Sequence, residues 1–245
     1  MSEKITNAAG PDAAVCEPAC GRLESHIEKE LERLRRHGDG SMEADLRTAL
    51  LHGRQVCRLV RSLFDGLKAL HGLDSHWRGM ICLAAMLHDI GQIAGMKGHH
   101  KSSCRLIRGR AGGLVNMTSD VADSLAGLLE CVPEEDRECV ALLARYHRKV
   151  WPSTAQKGFC RLSLAERQGV AVGSSLLRVA DGLDMSHESL VERLEAVPDE
   201  GNVLLILHAR EGADRATLAA DAMRGVRKGD LFTELFGRNL KWQQH

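Results

Sequence analysis

Aromatic side chains are scarce in this chain, with Tyr, Phe and Trp together making up 3% of 245 residues. That scarcity argues against the stacking platforms by which single-strand nucleic-acid binders hold bases. An excess of charge of either sign is missing too, with Lys+Arg and Asp+Glu at 33 each. The molecule has no global field for polyanions, so any phosphate contact has to come from a local patch. Proline numbers only 5, and β-branched runs are few, which leaves little to interrupt helices. No Cys-x-x-Cys occurs among the 8 cysteines. Cys57, Cys82, Cys104 and Cys139 fall inside helical patterns, where free thiols behave as small apolar groups, and a reducing cytoplasm is the expected compartment. Cys16 and Cys20 sit in a polar stretch, residues 1–21, expected to be disordered, with no His or Cys nearby to complete a metal site. No secretory signal or long apolar span is visible.

What is present is helical periodicity. The length suits one large domain with a small appendage: a helical body over residues 22–188 and an α+β lobe over 189–245, mainly α in class. Leu23, Ile27, Leu31 and Leu34 form a narrow stripe on a peripheral or partner-facing helix. A second helix starts after Ser41 and runs to about Leu70, with His52 on the margin of its buried face. A loop at residues 71–75 leads to an almost wholly apolar run from Trp77 to Ile90. The chain then turns at Gly91 and Gly95, and a helix from His99 places Cys104, Ile107 and Ala111 inward, closed by Gly112-Gly113. Helices follow over residues 119–132, from Pro133 to before Trp151-Pro152, and over 163–184. After His187 the pattern changes: residues 190–197 and 203–209 flank the turn cluster 198–202 as a β-hairpin, followed by short helices at 213–224 and 230–236.

The central run ends in Leu87-His88-Asp89-Ile90-Gly91. An imidazole and a carboxylate at the end of a buried helix have two readings. One is a satisfied core pair, with His88 donating to a backbone carbonyl and Asp89 capping a neighbour. The other is a pair of metal ligands, since a lone buried carboxylate costs several kcal/mol. Other helices decide between them. His52, His147 and Asp181 each lie on or near an inward face, and His99 stands at a helix start. Imidazoles and carboxylates without thiolate suit Mn²⁺, Fe, Co²⁺, Zn²⁺ or Mg²⁺. Four imidazoles and two carboxylates exceed one open site but suit two ions bridged by a carboxylate, for which Asp89 is the natural choice.

His52 … His88-Asp89 … Asp181 resembles the H…HD…D signature of the HD-domain metal-dependent phosphohydrolase superfamily, and His99 and His147 resemble its two-metal variant. The segments 87–91, 98–101, 144–149 and 178–187 are similar to the C-terminal HD domain of exopolyphosphatase/guanosine pentaphosphate phosphohydrolase proteins, from about Ala49 to His187. Members of that family carry an actin-like catalytic region before the HD domain. These 245 residues leave no room for it, so its polyphosphate-cleaving residues are not carried over.

The resemblance implies an HD helical bundle and a phosphohydrolase acting on a nucleotide, dinucleoside polyphosphate, alarmone or polyphosphate. His52, His88, Asp89 and Asp181 would hold one ion, and Asp89, His99 and His147 the other. Asp89 or Asp184 would accept the water's proton, Lys101, Arg145 and Arg148 would contact phosphate, and Arg178 would orient Asp181. The expected partner is a small phosphorylated substrate or polyphosphate, without membrane or nucleic acid, and a homodimer is open. Two alternatives remain: a non-catalytic module that binds polyphosphate or nucleotide and regulates a separate enzyme, and a di-iron oxygenase.

Overall fold

The protein is described here by a computed structural model covering residues 16–37, 40–110 and 117–245. Ten helices and three strands follow in order among these residues. The centre is α4, Ser75–Leu87, whose Asp74 accepts from the Trp77 N–H at 3.1 Å and so starts the helix. Every residue from Gly79 to Leu87 is buried, because neighbours cover it on all sides. Those neighbours are α1 (Cys16–His37), α2 (Ser41–Gly66), α7 (Arg137–Tyr146) and α8 (Leu164–Gly182). The start of α8 is set by Ser163 and Glu166, which satisfy each other's backbone N–H groups at 3.2 and 2.7 Å.

One expectation is corrected at the N-terminal side, and one open choice is settled. Residues 16–21 belong to α1 rather than to a disordered segment, and Cys20 is buried with its thiol donating to the Gly79 carbonyl at 3.2 Å. The stripe Leu23, Ile27 and Leu34 faces inward against α4, so this helix is part of the body. The expected reading of residues 1–15 lies outside the described residues. The second helix stops at Gly66, and the short α3, Lys68–His71, completes the span.

His71 closes α3 with both ring nitrogens engaged: Nε2–H donates to the Phe64 carbonyl at 2.8 Å, and Nδ1 accepts from the Leu73 N–H at 3.0 Å. Burial holds its pKa below the usual 6.5. A depressed histidine contributes stability that is present above pH 6.5 and lost as pH falls through the folded pKa. Proton NMR titration of the His71 ring is expected to give a midpoint below 6.5; a midpoint at or above it would contradict this bonding.

After α4 comes a 3-10 turn, Ile90–Ala94, then α5, His99–Ile107. Cys104 and Ile107 are buried as expected, while Ala111 and Gly112-Gly113 lie outside the described residues. Helix α6 spans Ser119–Glu130. The C-terminal lobe contains the expected hairpin, β1 (Val191–Pro198) antiparallel to β2 (Asn202–Ala209). Helices α9 (Arg215–Arg227) and α10 (Asp230–Phe236) cross to β3, Asn239–Gln244, which lies parallel to β2 and was not foreseen. The sheet order is β1-β2-β3. Its β1 edge is covered by α2, where Gln55 donates to the Val191 carbonyl and Arg58 to that of Glu192, both at 2.6 Å.

The lobe docks on α8 through glycines. Gly182 stands so close to α9 that a Cβ there would lie 2.6 Å from Gly225 Cα. Apolar residues of the helices and the sheet form one contiguous core. Among the described residues no single helix is long and apolar enough to cross a membrane.

Candidate metal centre

The centre lies where α2, α4, α5, α7 and α8 meet. His52 projects from the middle of α2, and Gly53 beside it allows α2 to touch α4, since a Cβ there would stand 2.5 Å from the Met86 carbonyl oxygen. The His52 and His88 rings are consequently 5.1 Å apart. His88 and His147 occupy equivalent places, each just past the last turn of α4 and α7, and His99 opens α5. Asp181 sits near the end of α8.

In His88, His99 and His147, Nδ1 lies 2.7, 3.1 and 2.7 Å from the backbone carbonyls of Ala85, Met96 and Ala144. A carbonyl only accepts, so Nδ1 carries the proton and, in the neutral ring, Nε2 keeps its lone pair. All three Nε2 atoms face one oxygen, Asp89 Oδ1, at 3.7, 3.0 and 3.7 Å. Three lone pairs against a carboxylate repel unless a cation stands among them. Two of these atoms, His88 Nε2 and Asp89 Oδ1, are buried and accept no hydrogen bond among the described residues, a situation that calls for an explanation in a packed interior. Donors about 2.1 Å from one ion lie about 3.0 Å apart at a right angle and about 3.4 Å at the tetrahedral angle. The observed spacings bracket those values.

His52 is held differently. Its Nδ1 meets Asp184 Oδ2 at 2.8 Å and its Nε2 meets Asp181 Oδ1 at 3.2 Å. Burial pushes its pKa down, but Asp181 and Asp184 outweigh burial and hold the imidazole up to about 10. The Asp184–His52 contact has the form in which a carboxylate orients a ligating histidine. Asp184 is wholly buried and also accepts from the Ser189 N–H at 2.7 Å. Its expected part as a proton acceptor is therefore corrected: both its oxygens are engaged away from the cavity, and it positions His52.

Burial raises the Asp89 carboxyl, and positive charge among His88, His99 and His147, on a ring or on an ion between them, is what holds it well below its usual range. Asp181 is likewise held low: burial works against it, and Lys228 and His52 prevail. His147 stays neutral because burial, and then His88, push it far down. Ligand atoms of His52, His88 and Asp181 lie within 4.8 Å of one another, as do those of His88, Asp89 and His147. These buried groups could hold a metal ion, and His88 belongs to both.

The other sequence-derived residues divide. Arg148 reaches the site, its Nη1 donating to His99 Nε2 at 3.1 Å. Lys101 and Arg145 do not line this cavity; they border a separate groove. Arg178 lines it but does not orient Asp181. Its guanidinium donates to Asp230 at 3.0 Å and to the Tyr146 carbonyl at 3.3 Å, tying α8 to α7 and α10. Asp181 is held by Lys228 instead, through Oδ2.

Sequence reasoning missed Lys228 and Arg224, which α9 brings to the cavity, and also Gln92 and His187. Gln92 donates to Asp89 Oδ2, and its i+3 spacing was a usable cue. His187 stacks on His52 with ring centroids 4.0 Å apart, and joins His52 and Asp89 in a third group within 4.8 Å. The cavity measures about 350 Å³, and Arg148, Lys149, Arg178, Arg224 and Lys228 give it a cationic wall. Against them stand two acidic residues, Asp89 and Asp181, both among the candidate ligands. The arrangement joins groups that could hold a metal ion to a wall suited to an anion. Neither a scan against models of protein families nor a search of curated proteins finds a match for this chain.

Proposed function

We propose that this protein is a metal-dependent phosphohydrolase of the HD type, cleaving a phosphate ester or anhydride at a two-metal site. The observation that carries the reading is the convergence of three Nε2 lone pairs, fixed by their backbone carbonyls, on Asp89 Oδ1. His52, His88 and Asp181 would hold one divalent ion, His99 and His147 the other, and Asp89 would bridge them. A bound pair supplies Lewis-acid charge to a phosphoryl oxygen and a water of lowered pKa.

The chain's own residues supply the rest. Asp184 orients His52, and Gln92 fixes the outer oxygen of Asp89. Lys228 pins Asp181 so that one carboxylate oxygen faces the histidines. Arg148, Lys149 and Arg224 offer donors to phosphoryl oxygens from the cavity wall. That wall favours phosphate chemistry over a di-iron oxygenase: the same donors would serve either, but Arg148, Lys149 and Arg224 suit an anionic substrate.

The test is metal analysis followed by phosphate release from nucleotides, dinucleoside polyphosphates, alarmones and polyphosphate, with Mn²⁺, Mg²⁺, Fe²⁺, Co²⁺ and Zn²⁺ in turn. About two ions per chain and turnover of at least one compound are expected. Metal-loaded protein inert on all of them would move the reading to a regulatory module. Arg148→Ala is expected to lower kcat/KM by roughly ten- to a thousand-fold at unchanged metal content, as befits a charged contact that strengthens in the transition state. An unchanged kcat/KM would remove Arg148 from the substrate's surroundings.

A further inference from the structure

Lys101 and Arg145 stand beside proposed ligands in the sequence yet face away from the metal cavity. Consecutive helical residues point about 100° apart. At the start of α5, His99 looks into the metal cavity and His100 into a neighbouring groove of about 450 Å³. Lys97, Lys101, Arg105, Arg145 and Lys149 line that groove, and among the described residues no acidic one does. In a chain with equal numbers of cations and anions, five basic residues around one groove are a concentrated field. Arg108 close by shows the usual alternative, pairing with Glu138 in a two-pronged contact.

Two residues lining this groove each carry a buried polar atom that is left over. His100 is 2% exposed, and its Nδ1 has no hydrogen-bond partner among the described residues. Arg145 Nη1 is also buried without one. Native interiors seldom leave such groups unpaired, and a guanidinium N–H without an acceptor asks for an anion. Lys149 borders both the groove and the metal cavity, so the two are neighbours with a shared rim.

We propose that this groove is a second anion site, taking a phosphoryl group of a multiply charged phosphorylated ligand on Arg145, His100 and Lys101. The phosphate comes from one of two sources: the far end of a substrate held at the metal cavity, or a separate ligand. Arg145 gives the forked donor set that matches phosphate oxygens, and the lysines supply screening charge at the rim.

The experiment is calorimetric titration of the full chain with inorganic tripolyphosphate, without divalent metal, so that it stands apart from the metal reading. Saturable binding of one equivalent per chain is expected in wild type and in Asp89→Asn. Arg145→Gln combined with Lys101→Gln should weaken it by roughly ten- to a hundred-fold, as expected for losing charge-assisted hydrogen bonds. The exposed pair Lys101→Glu and Arg105→Glu, which leaves the interior intact, should weaken it as well. Affinity that also falls in Arg148→Ala identifies the far end of a spanning ligand; wild-type affinity in that variant identifies a separate ligand. Either result supports the groove. Binding unchanged by both groove double variants, or lost only in Arg224→Ala, would place the anion in the metal cavity and overturn the proposal.

Discussion

Replacing Asp89 by asparagine is expected to strip the protein of divalent metal and to abolish phosphate release while the helices remain. The substitution keeps the shape and the Gln92 contact but removes the charge toward which His88, His99 and His147 converge. An amide cannot bridge two cations, so both halves of the site lose a ligand at once. Metal content by mass spectrometry should fall towards zero, and turnover by at least about a thousandfold, roughly 4 kcal/mol. Far-UV circular dichroism should change little, since the site joins helices already held by the apolar core. Full metal occupancy in this variant would sink Asp89 as the bridge.

Gly182→Val is the second change expected to have a large effect, and it acts through the C-terminal lobe. A Cβ at Gly182 meets Gly225 Cα at 2.6 Å, Gly225 N at 2.7 Å and Arg224 C at 2.9 Å, all of them backbone atoms. No rotamer relieves that overlap, so α9 has to move off α8. Overpacking of this kind costs about 1–3 kcal/mol or more, and in a chain of this size each kcal/mol lowers Tm by about 2–4 °C. The same movement withdraws Arg224 and Lys228 from the cavity and frees Asp181 from Lys228. Thermal melting should show the loss, accompanied by weaker metal retention. Gly21→Ala is the control: nothing lies within 4 Å of its Cβ, and inside α1 alanine should be neutral or stabilise by up to about 1 kcal/mol. An unchanged Tm in Gly182→Val would mean that the lobe does not depend on this close approach.

The sequence by itself determined what depends on local periodicity. Each apolar stripe fixes which face of its helix is buried, and a histidine on that face is inward wherever the helix lies. His52, His147 and Asp181 were legible for that reason, His88 and Asp89 from the end of a run apolar on nearly every face, and His99 from its place at a helix start; the helical class and the β1-β2 hairpin were legible too. Only the tertiary structure decided which side chains meet across elements. Proximity in sequence to a ligand misplaced Lys101 and Arg145, because neighbouring positions on a helix look in different directions. Asp184 changed from a proton acceptor to the group that orients His52, a contact spanning 132 positions. Lys228 took the place assigned to Arg178, because the glycine contact between α8 and α9 brings a distant lysine to Asp181. β3 escaped notice because its pattern is weak and, among the described residues, its strand partner is β2, across two helices. Periodicity reports the burial of a residue in its own helix; the pairing of charges is set by how closely the helices can approach, and at Gly53 and Gly182 that distance is decided by the absence of a side chain.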